Sequence, residues 1–361
     1  MTRAPLAVRA GHFLALLALA TGCAGGESKD GAGDCAEATN QPGSRCVPES
    51  RLDVSPEDVT LDAELDALGI DFSPPADGFQ LRTAGVRLHP GEDDEWCEAL
   101  VIPEDAASPG REWCVERIEV GIAEGVHHYF VAKAPFGSES EALMTPGERV
   151  RCVGGAHVTY GSDLEPIPIG QAKYVDEQLP AGVAVKLTAG QKLSVNYHWL
   201  NTTEVDQITT IALNFHATPC DGQAELRQFG FYNQDISVPP NGTWSTEMAA
   251  AFTQDVYVSG LFRHTHRFGR DVPIAFAGGP RDGEVIFVSP DYAEGAAFRF
   301  PEPVLFRAGE GLSFTCNFEN PTKDTIRFGP TADDEMCMLL GTYWQANPAE
   351  PPEVQHRYKW N

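Results

Sequence analysis

From about Leu81 onward the apolar and polar positions alternate in short runs. Leu193, Val195 and Tyr197 alternate with Ser194, Asn196 and His198, and Ile211, Leu213 and Phe215 with Thr210, Asn214 and His216. Successive strand side chains point to opposite faces, so this pattern predicts half-buried β-strands. Asp58 to Leu68 is the one stretch with a helical period. Turn signals such as Pro239-Pro240-Asn241-Gly242 and Gly278-Gly279-Pro280 recur at intervals typical of β-sandwiches. The expected architecture is all-β, with a break near Thr218-Pro219-Cys220-Asp221-Gly222, after one strand and before the next.

Composition narrows the picture. A chain of 361 residues with 42% hydrophobic content can bury a large core and is expected to form two domains. The 26 basic against 52 acidic residues give a formal net charge of -26, which repels phosphate backbones and anionic membranes and argues against nucleic acid as a partner. Arg3 and Arg9, the apolar run Phe13 to Ala20, and Ala20-Thr21-Gly22 before Cys23 form a targeting segment, 1–22. It resembles a bacterial lipoprotein signal with Cys23 as the acylated residue, giving a membrane-anchored chain facing the periplasm or the cell surface; simple secretion is the alternative. No other run approaches the ~18 apolar residues needed to span a bilayer, so lipid on Cys23 would be the one membrane contact. Residues 23–76 read as a flexible acidic tether in which Cys35 and Cys46 close a small loop, and 348–361 as a tail. The eight cysteines beyond Cys23 are even in number and lack Cys-x-x-Cys spacing, which in an exported chain indicates disulfides.

Four strings of metal-ligand residues follow one another: His127-His128, Asn196-Tyr197-His198, His264-Thr265-His266 and Glu335-Met336-Cys337. Imidazoles plus one thioether suit copper, since nitrogen serves both oxidation states and soft sulfur favours Cu(I). His264 and His266 fall on one strand face with Phe262, while Arg263 and Thr265 face away. Against this, a lone His-x-His beside Arg263, Arg267 and Arg270 is most often two exposed polar residues. Adjacent His127 and His128 point to opposite faces unless the backbone bends, which Gly125 would permit. His198 shares a face with Asn196 and Ser194, for which solvent is the default surrounding. Met336 alone reads as a core methionine. A Cys316–Cys337 bridge would fix the loop that carries it.

Taken together and in this order, the strings resemble the copper type II, ascorbate-dependent monooxygenases, the family of peptidylglycine- and dopamine-hydroxylating enzymes. The resemblance runs from about Trp96-Cys97 to Tyr343-Trp344 and rests on Val126-His127-His128, Tyr197-His198, His264-Thr265-His266 with Gly269, and Asp334-Glu335-Met336-Cys337. It implies two tandem jelly-roll-like antiparallel sandwiches, 77–219 and 220–347, with a cleft between them. It also implies two copper ions. One, on His127, His128 and His198, stores and passes an electron; the other, on His264, His266 and Met336, is where dioxygen is used and a substrate C–H bond is broken. Ascorbate or another one-electron donor, O2 and a small organic molecule would be the partners.

The family disulfide around the methionine is matched by Cys316 and Cys337, whereas one that ties down the second domain has no counterpart. Of the rest, Cys97 with Cys152 is an expected pair, and Cys114 with Cys220 follows by elimination. The peptide branch grips a carboxylate with an Arg two residues before the His-x-His and an Asn two after the Met. Phe262 and Met338 stand here, so a peptide C-terminus is not the expected substrate and the pocket wall is more apolar. The resemblance thus implies a monooxygenase acting on a small apolar or aromatic molecule. The alternative is a surface lipoprotein that binds or stores copper without turnover.

Overall fold

A computed structural model gives the placement of residues 54, 59–104, 110–152, 155–161, 163–170, 172–289, 297–329, 333–348 and 356–358, with the backbone alone at 127, 157–158, 168–170 and 356–358. The leader 1–22, Cys23, Cys35 and Cys46 lie outside the described residues. The protein is all-β, as the alternation requires, and its sheets are antiparallel apart from one short strand.

In the first half, a six-stranded sheet contains Gly78–Arg82, Ile211–Thr218, Glu112–Ile122, Val183–Thr188 and Ala224–Glu225 in that order, with Tyr174–Gln178 also on Glu112–Ile122. A five-stranded sheet runs Arg149–Arg151, Asp93–Val101, Lys192–Leu200, Val126–Lys133, Glu165–Gly170. Alternate residues of both sheets, among them Phe79, Trp96, Val120, Tyr129, Tyr197, Trp199 and Phe215, form one buried cluster. The second half repeats the scheme. Arg227–Tyr232, Met338–Gln345, Val256–His264 and Ala297–Phe306 make one sheet; Val285–Ser289, Gly269–Ala277, Gly311–Asn320, Gly242–Ala251 and His356–Tyr358 make the other. Phe229, Phe231, Phe252, Phe306, Phe314 and Phe318 belong to their common cluster.

Two segments depart from the expectations for the chain ends. The helix Leu61–Ala67 falls within the predicted helical stretch, but it is packed and not part of a loose tether. Leu61 and Leu65, four apart and fully buried, meet Phe72, Ala123 and Ala212. Asp62 and Glu64 in its first turn bond Arg82 and Lys173, each at 2.6 Å. In the expected tail, His356–Tyr358 pairs with Ala249–Ala251 and extends a sheet.

Among the described residues, three disulfides form: Cys97–Cys152, Cys114–Cys220 and Cys316–Cys337. They match the expected pairings and fit an exported protein, since such bonds persist in oxidising surroundings. Among the described residues, no helix is long and apolar enough to cross a membrane.

Candidate functional site

His128 and His198 are directly opposed on the neighbouring strands Val126–Lys133 and Lys192–Leu200. Their ring centroids are 5.0 Å apart. The next pair in the register is Val126 with Trp199, so the backbone of His127 is the extra residue of a β-bulge. Gly125, at φ 89°, stands just before it. The expected bend is therefore present, and a bulge suspends the strict two-residue alternation that would separate adjacent histidines. The side chain of His127 lies outside the described ones.

His198 Nε2 meets Asp93 Oδ1 at 2.6 Å, a carboxylate that fixes the orientation of the ring. The rest of this strand face is not in solvent, contrary to the default reading. Ser194 is fully buried and Asn196 nearly so. Cys97, Ala99, Met144, Cys152, Ala156 and Tyr160 form a cluster on that side, Met144 standing just after the short helix Glu139–Leu143 and Ala156 and Tyr160 at the two ends of the helix Ala156–Tyr160. The Asn196 amide donates to Glu95 Oε1 at 3.0 Å and to Cys152 Sγ at 3.1 Å, so it is engaged in structure.

In the second half, His264 ends its strand and His266 follows in the turn to Gly269–Ala277. Their ring centroids lie 5.1 Å apart. As expected, Arg263 and Thr265 face the other way: both are buried, Arg263 donating to Thr265 Oγ1 at 2.8 Å and Ser289 Oγ at 2.6 Å. Burial, helped by the charges of His266 and Arg263, pushes the His264 imidazole down to about 4, so it is neutral near pH 7, as a metal ligand must be. His266 Nδ1 is 3.1 Å from the carbonyl of Asp334. A carbonyl only accepts, so Nδ1 carries the proton and Nε2 is the nitrogen with the lone pair.

Met336 sits on the loop before Met338–Gln345, next to the disulfide-bonded Cys337. Glu335, with no exposed surface, lies between this loop and the histidine turn. Its Oε2 accepts the N–H of His266 at 2.8 Å and that of Met336 at 3.2 Å; Oε1 accepts the N–H of Phe268 at 2.6 Å. Burial pushes this carboxyl up to about 7 against the pull of those N–H groups. Two imidazoles, one neutral by burial and one oriented by a carbonyl, beside a loop bearing a thioether are a donor set that fits copper.

Register places Met338 opposite His264 and Leu340 opposite Phe262 on one face. Phe262 and Leu340 line a cavity of about 140 Å³ whose other wall comes from the first half, including Ile118, Ile167, Leu179 and Val185. A neighbouring cavity of about 340 Å³ shares Ile167, Val185, Leu226 and Gln228 with it. Charges around these spaces are paired: Arg299 with Glu177 at 2.8 Å, Lys133 with Glu225 at 2.9 Å and Glu165 at 3.2 Å.

Residues 227–358, which hold His264, His266, Met336 and the Cys316–Cys337 bridge, match the model of the copper type II ascorbate-dependent monooxygenase, C-terminal domain. This part of the chain belongs to that family. The three-histidine set lies outside the matched segment. No curated protein matches the chain. Among solved structures, the chain is similar to the major capsid protein P2 from bacteriophage PM2, at 11% identity, TM-score 0.32, over 73% of this chain and 97% of that one. It is also similar to PNGF-II, at 9% identity, TM-score 0.24, over 81% and 64%. Likeness at this level carries no functional weight.

Sequence reasoning missed Asp93 and gave Glu335 no role. An acidic run, Asp93-Asp94-Glu95, was visible, but nothing local says which acid a histidine on a distant strand will meet. Of the unassigned histidines, His89 bonds Asp206 at 2.9 Å and His216 bonds Glu119 at 2.5 Å. The side chains of His157 and His356 lie outside those described. Glu112, Cys114 and Cys220 also converge, but both thiols are spent in a disulfide.

Proposed function

We propose that the protein is a copper-dependent monooxygenase that hydroxylates an activated C–H bond of a small apolar or aromatic molecule, using O2 and a one-electron reductant such as ascorbate. The observation that carries this reading is the pair of histidine couples, centroids 5.0 and 5.1 Å apart, one in each half of the chain. The second couple lies inside the segment that matches the monooxygenase family.

In this reading His127, His128 and His198 hold one copper and His264, His266 and Met336 the other, on tandem jelly-roll-like sandwiches with a cleft between them. Copper supplies one-electron redox chemistry and dioxygen activation, which side chains cannot. The protein's part is to present ligands and exclude competitors. Asp93 holds His198 through Nε2, so that Nδ1 would face the metal, the Asp334 carbonyl holds His266 through Nδ1, so that Nε2 would do so, and the Met336 thioether favours the reduced ion. Phe262, Met338 and Leu340 give the substrate an apolar wall. Lipid on Cys23 would hold the enzyme at a membrane surface outside the cytoplasm.

The test is coupled turnover. Protein loaded with copper and given ascorbate and O2 is expected to hydroxylate a member of an apolar and aromatic compound panel, and Met336→Ala to abolish product. His198→Ala is expected to keep copper at His264, His266 and Met336 yet stop the reaction. Copper binding without reductant-coupled product across a broad panel would make the protein a copper-binding or copper-storage lipoprotein instead.

A further inference from the structure

We propose that Glu335 is the positioning residue that joins the two parts, distant in sequence, of the His264, His266 and Met336 ligand set. This rests on the copper reading above. The histidines come from the end of one strand and the turn after it, and the methionine from a loop some seventy positions later; the pairing of His264 with Met338 brings the two strands together but ends short of His266 and Met336. One carboxylate spans the gap. Its Oε2 takes the N–H of His266 at 2.8 Å and of Met336 at 3.2 Å, so the two ligand residues hang by their backbones from a single oxygen atom. Its Oε1 takes the N–H of Phe268 at 2.6 Å and holds the far side of the same turn.

Glu335 is itself anchored by its own backbone, donating to the Arg327 carbonyl at 2.9 Å and accepting from Gly329 N–H at 3.1 Å. The preceding carbonyl, Asp334, orients the His266 ring at 3.1 Å. A short stretch therefore sets both the distance between the ligand segments and the rotation of one imidazole. Three N–H donors on two oxygens need a group that accepts at both ends, which a carboxylate does and an amide cannot.

The experiment compares copper binding, not turnover. Reduced wild-type protein and Glu335→Gln are titrated with Cu(I) against a chelator, and the sulfur contribution to the copper X-ray absorption spectrum is recorded. In Glu335→Gln the amide nitrogen faces at least one of the N–H groups, so the sulfur-bearing site is expected to bind at least tenfold more weakly and to lose its sulfur signal. The equivalent held by His127, His128 and His198 should stay, as should the β-sheet circular dichroism. If that variant does not fold, Glu335→Asp, which keeps the charge but withdraws the carboxylate by one methylene, is expected to give the same loss. Wild-type affinity and an unchanged sulfur signal in a folded variant overturn the proposal. A wild-type protein that never shows a sulfur-bearing copper sinks the copper reading itself.

Discussion

Glu98 shows how single buried groups in this protein couple to proton concentration. It is almost fully buried, and burial pushes its carboxyl from 4.5 up to about 7 despite the N–H of Ala84 and the nearby Arg149 guanidinium. The folded protein then holds this proton more tightly than the unfolded chain does. Its stabilising contribution is complete below 4.5 and is lost as pH rises through about 7. The loss is about 3 kcal/mol in all. Chemical denaturation of Glu98→Gln between pH 5 and 8 should show a flatter dependence than wild type; an identical slope would mean the proton is not held there. At the same scale, Asp93→Asn is expected to weaken copper at the His198 set by ten- to a hundredfold, read by competition titration, with the second site unchanged.

At the scale of elements, the disulfide Cys316–Cys337 closes 21 positions of sequence and ends beside the methionine loop. Replacing both cysteines by serine should cost about 3 kcal/mol in thermal unfolding. It should also raise amide exchange at Met336 before the rest of its sheet is affected. The packed helix is a second case: Leu65→Ala removes a fully buried side chain and should cost about 2–5 kcal/mol. A loss below ~1 kcal/mol would show that the helix is detachable.

What could be read in the chain follows the same physics. Strands of the first sheet pair were legible because the apolar Leu193, Val195 and Tyr197 face the large core and alternate with polar residues on the other face. The bend at His127 was legible through Gly125. Illegible were the partners across strands: His128 opposite His198, and Asp93 beside the latter, depend on register, which distant segments settle together. The surroundings of Ser194 and Asn196 were misjudged because two helices of five residues each, too short to show a period, lie over them. The early packing of residues 59–76 was hidden because acidic residues around Leu61 and Leu65 resemble a solvated linker until Arg82 and Lys173 are brought to them.

For the whole molecule, the two halves meet around partly filled space that apolar side chains of both line, Ile118 and Leu179 from one and Leu261 and Phe262 from the other. Lys133, Glu165 and Glu225, all on strands of the first half's sheets, form a charge cluster at the mouth of the larger cavity. Lys133→Met leaves these carboxylates without their ammonium and should cost about 1–3 kcal/mol. An unchanged midpoint in chemical denaturation would show that Arg227, which also pairs with both carboxylates, suffices to hold them. Each half buries its own aromatic cluster, so copper titrations of variants in one are expected to leave the other's metal in place.

The strand Ala224–Glu225 runs parallel to Val183–Thr188 and borders it, although it follows Cys220 and the break that the sequence displays. A chain cut at Pro219 would thus lose a bridge partner for Cys114 and leave open the backbone groups at the start of Val183–Thr188, among them the Gly182 and Ala184 carbonyls, a place for another copy to add edge to edge. Anyone isolating the amino-terminal half for study would do better to stop after Leu226, where that border is sealed.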